Sequence, residues 1–541
     1  MHIDKVVIEN FKCFNSKFEI HFRDGINIIV GNNEAGKSTI LEAVHLALTG
    51  ILNGKYLRNE LSQYLFNNEV VKQYINSFSL SPPSGESPPT ILIEVYFGGD
   101  VWSLFQGNGN SNRSDTCGVA LKIEFDSDYQ AEYDALVKSG DIKAIPIEYY
   151  KQTWKSFARD SVSSRSIPMK SVLIDSSSSR HQNGSDIYIS RIIRDDLDAK
   201  EKVQIAQAYR KTKESFIEDP SVKAINKKIG GKADITHKKL EVSVDLSTQN
   251  SWEYALMTYL DETPFHQVGK GEQCIVKTNL ALGHSKAKEA NLILLEEPEN
   301  HLSYSKLNQL IQSVAAKCTG KQIIISTHSS FVANKLGLEC LILLHDRRVT
   351  RLDALDSKTQ EFFRKLPGYQ TLRMLLSKKA VLVEGPSDEL IFQKAYRIAN
   401  VGKLPIQDEI DVISVGLTFK RFLEVAKLLN KPVAVITDND GDYTTKITDK
   451  YEDFNGVQCI KIFADRRNKL NTLEPQFVDA NKNNLGELAG VVGATNSNQS
   501  DLVQYMSKKE IKTEWALSVF ESDVGLTFPE YIVDAVKWCN E

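Results

Sequence analysis

Apolar and polar positions follow two periods along this chain. Between Asp4 and Ile29 the apolar residues Val6, Ile8, Phe11, Phe14, Phe18, Ile20 and Phe22 largely alternate with polar ones, which predicts strands around a turn at a sheet edge. Ile26-Asn27-Ile28-Ile29-Val30 is β-branched and apolar enough for a buried strand, and Ile40 to Leu48 has helical spacing. Ser77 to Pro89 is a loop by composition, with a strand predicted from Thr90 to Phe97. Ser161 to Asp186 is polar and Ser-rich. Ile189 to Ile229 is then long, charged and helix-prone, with both signs mixed at Arg194, Asp195, Asp196, Asp198, Lys200, Glu201 and Lys202. That stretch reads equally as a solvated helical face or as an inserted dimerisation arm. Leu240 to Leu246 returns to strand-like alternation, Cys274 to Leu282 predicts a helix, and Leu292–Leu295 and Gln322–Ile325 read as buried parallel strands. Further on, strands at Lys379–Val383, Asp411–Val415 and Pro432–Thr437, with a helix over Thr418–Leu429, make a βαβ alternation. Ser387 reads as the N-cap of a helix running towards Tyr396.

At 541 residues the chain is too long for one core and predicts two to four domains. A net charge of -4 and a pI near 6.3 argue against a wholly basic nucleic-acid coat, yet leave a local basic groove open. Met1 to Lys5 lacks a signal-peptide core, no apolar run is long enough for a bilayer, and the seven cysteines include no C-x-x-C pair. The expectation is a cytoplasmic, reduced protein with no membrane partner, no disulfide framework and no zinc site.

Gly31-Asn32-Asn33-Glu34-Ala35-Gly36-Lys37-Ser38-Thr39 matches G-x-x-x-x-G-K-[ST] in the strand, loop, helix context that motif needs. A triphosphate must lie against bare backbone N–H groups, which glycines at the tight points of the loop permit. Lys37 would reach the β- and γ-phosphates of ATP and the Ser38 hydroxyl would hold Mg²⁺, with Asn32, Asn33, Gly36 and Thr39 completing the loop. Downstream, Val268-Gly269-Lys270-Gly271-Glu272-Gln273 opens a helix with glycines that bring N–H groups to a phosphate, here one held by a second subunit. The strand before Glu296-Glu297-Pro298 delivers paired carboxylates, one for Mg²⁺ or its water and one to orient the attacking water. His328 follows another buried strand, in place to sense a γ-phosphate.

These four segments, in this order, resemble an ABC-type ATPase of the branch that includes recombination and chromosome-maintenance proteins. The resemblance implies that the signature around Gly271 closes on ATP of a partner subunit, with Glu296 on the metal side, Glu297 as the catalytic carboxylate and His328 as the switch histidine. Two positions depart from it: Gly269 replaces the signature serine, and Glu296 stands where many relatives carry Asp. Loss of that hydroxyl predicts slow turnover, with ATP acting more as gate than fuel.

The second half carries a different chemistry. A buried strand delivers Glu384 into a Gly-Pro turn, and another ends in Asp438-Asn439-Asp440-Gly441-Asp442. Residues two apart at a strand end project to one side, so Asp438 and Asp440 are expected to share a hard cation, Mg²⁺ or Mn²⁺, with Glu384. An EF-hand loop is excluded: from Asp438 the sixth position is Tyr443 and the twelfth Asp449, where Gly and Glu are required. This arrangement is similar to the Toprim domain, and Glu384-Gly385-Pro386-Ser387-Asp388 resembles the variant in OLD (overcoming lysogenisation defect) family nucleases, which pair an ABC ATPase with a C-terminal Toprim domain. The resemblance adds Asp388 to the first acidic motif, Glu474 of Thr472-Leu473-Glu474-Pro475 as a further metal-site carboxylate, and Lys512 as a stabiliser of transition-state charge. Asp442 is either a ligand or a loop residue.

The fold expected is therefore α/β: an ABC ATPase over residues 1–160 and 246–370, an inserted, partly helical dimerisation arm over 161–245, and a Toprim domain over 371–541. The expected function is an ATP-gated, metal-dependent DNA endonuclease. By resemblance it serves in antiphage defence, as a homodimer or higher homo-oligomer, alone, beside a helicase as in Gabija systems, or with a retron reverse transcriptase and its DNA. The competing reading is an ATP-driven DNA-binding sensor or scaffold of the repair or chromosome-organising class, with weak or no nuclease activity.

Overall fold

A computed structural model describes the chain except for residues 79–86, 100–101, 141, 176–180, 183–184, 187–196, 231–240, 245–251, 253–256, 284–290, 318–319, 346 and 367–370. Two compact units emerge: Met1–Asn27 with Gly36–Thr327, and Ile28–Ala35 with His328–Glu541.

In the first unit, the alternating N-terminal segment does not edge the nucleotide-binding sheet. Its strands His2–Glu9 and Phe18–His21 belong to a separate antiparallel sheet with Ile91–Gly98, Thr116–Phe125, Gln106–Gly107 and Tyr150–Ser156. Alternation marks these as antiparallel strands of a different sheet, and Val6, Val7 and Ile8 are all buried, so the first strand is covered on both faces. Three parallel strands, Ser171–Asp175, Leu292–Glu296 and Gln322–Ser326, form the second layer, with Asp175, Glu296 and Ser326 in one register row. The helix Lys37–Thr49 packs on strands of both sheets and buries Ile40, Leu41, Val44 and Leu48.

Because Ser171–Asp175 pairs with Leu292–Glu296, the inserted arm cannot begin at 161. Its helical part is Ala199–Glu218, opened by an Asp198/Glu201 capping box, followed by Pro220–Gly230. Arg194, Asp195 and Asp196 lie outside the described residues, as do the ends of the strand expected over Leu240–Leu246, whose described residues 241–244 form no strand.

In the second unit, Ile28–Gly31 pairs in parallel with Leu341–His345, which pairs antiparallel with Arg348–Arg351. A four-stranded parallel sheet follows in the order Ile410–Ser414, Lys379–Val383, Val433–Ile436, Ile460–Phe463. Beyond Ile28–Ala35, this compact unit begins at His328, ahead of residue 371, where the Toprim domain is expected to start. Helices before that point are tied into it: Thr371 Oγ1 donates to Asn334 Oδ1 at 2.6 Å, and Arg421 Nη1 donates to Thr359 Oγ1 at 2.8 Å. Helices Pro386–Ala399, Leu473–Ala480, Lys512–Glu521 and Glu530–Asn540 bury Phe392, Phe477, Trp515 and Ile532 in one core with the sheet residues Val381 and Ala434. Among the described residues no helix is long and apolar enough to cross a membrane.

Candidate active site

Within the first unit Lys37 lies among the acids Glu296, Glu297 and Glu299. Gly36 has φ +101°, and a Cβ there would come within 2.6 Å of the Phe14 ring, so the turn into the helix tolerates no larger residue. Lys37 is buried. Burial pulls its ammonium pKa down, while Glu297, Glu299 and Glu296 push it back up. Burial, reinforced by Asp175, Glu42 and Glu297, pushes the Glu296 carboxyl up to about 7, against a hydrogen bond with the Ser38 hydroxyl. Ser38 and Glu296 are thus adjacent, as a shared Mg²⁺ would require. Thr39 is buried, with its hydroxyl 3.6 Å from Cys13 Sγ.

Glu297 sits at φ +41°, with its N–H donating to Ser326 O at 2.9 Å and its carboxylate accepting from Asn300 Nδ2 at 2.7 Å. Thr327 Oγ1 donates to Glu299 at 2.7 Å, and Glu299 acts on Lys37 beside Glu296 and Glu297, a third acid that sequence reasoning did not single out. The signature helix starts at Lys270, four residues before the expected Cys274. A Cβ on Gly271 would stand 2.3 Å from His301 O, whereas nothing lies within 4 Å of one on Gly269. In the second unit, Asn32 and Asn33 are exposed ahead of Gly36, and His328 is exposed just before Ser329, which caps the helix Ser330–Leu336.

The second unit holds the other predicted group. Glu384 directly follows the strand Lys379–Val383; one carboxylate oxygen accepts from Thr437 Oγ1 at 2.6 Å and from Asp438 N at 3.1 Å. Asp388 lies in the first turn of Pro386–Ala399 and accepts from Gly385 N at 3.0 Å. That helix begins at Pro386, so Ser387 is inside it and is not its N-cap; instead its hydroxyl donates to Lys512 O at 2.9 Å. Lys512 Nζ is 3.3 Å from Glu474 Oε1, while Glu474 Oε2 accepts from Thr472 Oγ1 at 2.8 Å.

Electrostatics show that these groups share one locality. Burial, then Glu384, pushes Asp388 up to about 7; burial, then Asp388, Glu384 and Glu474, pushes Asp438 up to about 9, with Lys512 pulling both down. Asp440 departs from the expectation. The strand ends at Ile436, and Asp440 lies in the following loop at φ +48°, exposed, with Oδ2 3.4 Å from Lys446 Nζ. Two-residue periodicity applies only inside a strand, so Asp438 and Asp440 do not share a face by that rule. Asp442, also exposed, caps its own loop by accepting from Thr445 N at 3.2 Å.

A hard divalent cation fits this donor set by its chemistry. The donors are all carboxylates, and Glu474 Oε1 is buried without a geometrically good hydrogen bond. Crowded carboxylates whose pKa values rise together gain most from a cation. Among the described residues, however, no three acids, histidines or cysteines already stand close enough together to hold an ion, so the side chains would have to draw in around it.

A nucleotide-binding unit with paired carboxylates after a parallel strand, followed by a parallel-sheet unit whose acids Glu384, Asp388, Asp438 and Glu474 follow its strands or lie on its helices, defines an ATPase joined to a TOPRIM fold. A family model described as an AAA domain matches residues 5–317, more than half of the chain, and one described as overcoming lysogenization defect protein-like, TOPRIM domain, matches residues 375–440. The chain belongs to the AAA-domain family and has the ATPase-plus-TOPRIM architecture of the OLD family. At that level it carries an ATPase domain followed by a TOPRIM domain.

Among curated proteins, the DNA double-strand break repair Rad50 ATPase of Methanopyrus kandleri is 56% identical over 46 residues, 8% of this chain and 5% of that protein. The chromosome partition protein Smc of Aquifex aeolicus is 30% identical over 164 residues, 28% of this chain and 14% of that protein. The chain therefore spans only a small part of the length of these relatives. A crystal structure of the SmcHead bound to the C-winged helix domain of ScpA aligns with 65% of this chain and 98% of its own, at 16% identity and a TM-score of 0.33.

Proposed function

We propose that this chain is a divalent-cation-dependent DNA endonuclease whose ATPase unit gates cleavage by its TOPRIM unit, and that it serves as an antiphage defence effector. The observation that carries the cleavage reading is the shared electrostatic locality of Glu384, Asp388, Asp438, Glu474 and Lys512. Phosphodiester hydrolysis needs an oriented water and charge stabilisation at the non-bridging and leaving oxygens. Bound Mg²⁺ or Mn²⁺ would supply a nucleophilic hydroxide and Lewis-acid stabilisation. Glu384, Asp388, Asp438 and Glu474 would hold the cation. Lys512 is held near the cluster by Ser387 at its backbone carbonyl and by Glu474 at its ammonium, where it would face a phosphate oxygen.

In the ATPase unit, Lys37 would bind the phosphates, Ser38 and Glu296 the nucleotide's Mg²⁺, Glu297 would orient water and His328 would sense the γ-phosphate, with Gly271 acting across a homodimer. By the family resemblance alone, a helicase, or a retron reverse transcriptase with its DNA, would be its partner.

The second reading is an ATP-driven DNA sensor or scaffold with little cleavage of its own. The exposure of Asp440 and its pairing with Lys446 favour it. Incubating supercoiled plasmid with the purified chain in Mg²⁺ or Mn²⁺, with and without ATP, separates the two. Nicking that disappears in Glu384→Ala and changes with ATP in a Lys37-dependent way supports the nuclease. ATP-dependent DNA binding with no nicking under any condition moves the scaffold reading to first place.

A further inference from the structure

Resting on the reading that the acidic cluster binds a divalent cation, we propose that Asn439 is a positioning residue that fixes Asp438 relative to Glu474 and thereby sets cation affinity. Asn439 is completely buried between two aspartates in the sequence, yet none of its bonds goes to the cluster. Its Nδ2 donates to Asp465 O at 2.8 Å, Leu470 O at 3.1 Å and Arg467 O at 3.2 Å, and its Oδ1 accepts from Gly441 N at 2.8 Å. Asp440 N adds a bond to Asn471 O at 3.1 Å. The loop after the strand Val433–Ile436 is thereby pinned to residues 465–471, a stretch paired with it by no strand.

That stretch runs straight into the helix Leu473–Ala480, which carries Glu474. Leu470 O, one of the three carbonyls held by Asn439, also accepts from Gln476 Nε2 at 3.0 Å, and Gln476 Oε1 accepts from Tyr531 OH at 2.7 Å in the core. Asp465 is clamped by its own pair with Arg467, so the carbonyl it offers is not free to wander. A hydrogen-bonded path therefore leads from the Asp438 backbone through Asn439, Leu470 and Gln476 to the helix bearing Glu474. Only a side chain with both an N–H₂ and a carbonyl fits: aspartate would turn an anion towards three carbonyl oxygens, and alanine would withdraw the one donor that ties all three together, leaving Leu470 O only Gln476 Nε2 and Arg467 O only Leu470 N.

The test measures Mn²⁺ binding by the full chain, without nucleotide or DNA, from the electron paramagnetic resonance signal of free Mn²⁺. Binding that Glu384→Ala removes is assigned to the cluster. Asn439→Ala is expected to weaken that binding at least tenfold and Asn439→Asp at least as much. The core variant Ile532→Val, which melts lower without touching the pin, is expected to bind as the wild type does. Where Asn439→Ala does not fold, Asn439→Ser, which keeps one donor, is measured in its place, with a weakening of at least threefold expected. A folded Asn439 variant that binds Mn²⁺ within twofold of the wild type overturns the proposal while leaving the cluster in place. A wild-type chain with no Glu384-dependent binding overturns the cluster reading and this proposal with it.

Discussion

Thr437→Val isolates the orientation of Glu384 from its presence. Thr437 is buried, its hydroxyl donates to Glu384 at 2.6 Å, and valine matches its shape. The same carboxylate oxygen keeps the longer bond from Asp438 N at 3.1 Å, so the side chain loses its stronger tether but not both. A hydrogen bond to a charged acceptor contributes about 1.5–3 kcal/mol. Valine buries an extra methyl in place of the hydroxyl and recovers about 1 kcal/mol of that in folding, so the melting temperature is expected to move little. Cleavage has no such compensation: at about 1.4 kcal/mol per tenfold, loss of the tether is expected to slow nicking roughly 10- to 100-fold at limiting Mg²⁺. A misoriented ligand acts through cation affinity, so the deficit should shrink as Mg²⁺ rises, and Thr437→Ser should restore most of the rate. The assay is plasmid nicking across a Mg²⁺ titration beside Glu384→Ala. If Thr437→Val nicks within about threefold of the wild type at every Mg²⁺ concentration while Glu384→Ala is dead, the tether does not orient a ligand and the reasoning fails.

Three further outcomes are expected. Gly271→Ala places a methyl 2.3 Å from a backbone carbonyl and should cost about 1–3 kcal/mol and most steady-state ATP hydrolysis, whereas Gly269→Ala, with nothing within 4 Å, should leave the thermal melt unchanged. Arg373→Met strips the partner from Asp411, which accepts from Arg373 Nε at 2.8 Å and is nearly buried. Because the arginine is itself close to half exposed, the loss in urea unfolding should be about 2–3 kcal/mol, below that of a fully buried pair, and Arg373→Met with Asp411→Leu should recover most of it. Burial pulls the Lys431 ammonium down to about 8, so between there and the ordinary lysine value the folded chain holds fewer protons than the unfolded one. Stability relative to Lys431→Met should therefore rise with pH across that window, as followed by urea unfolding; a difference that is flat in pH contradicts it.

What the sequence disclosed about the site was charge, and what it withheld was the means of holding charge in place. Glu384 and Glu296 could be read from the primary structure because each directly ends an apolar run, and the strand that delivers it is local. Asp440 could not, because its position depends on where the strand stops, and Ile436 ends it two residues before Asp438. The N-terminal alternation marked strands without naming their sheet, since register and partner are tertiary facts. Ser387, Thr437 and Asn439 were passed over or misassigned for a shared reason: each is a small polar residue that reads as a cap, a strand end or a spacer. All three are buried, and a buried polar group must find a partner. Each finds one belonging to the cluster or its supports: the Lys512 carbonyl, the Glu384 carboxylate, and the carbonyls leading to Glu474. A small polar residue within or just beyond an apolar strand that leads to an acid is therefore better read as the holder of that acid than as the end of the strand. Such residues carry no charge to advertise them, yet the geometry of a multi-carboxylate site depends on them as much as on the acids.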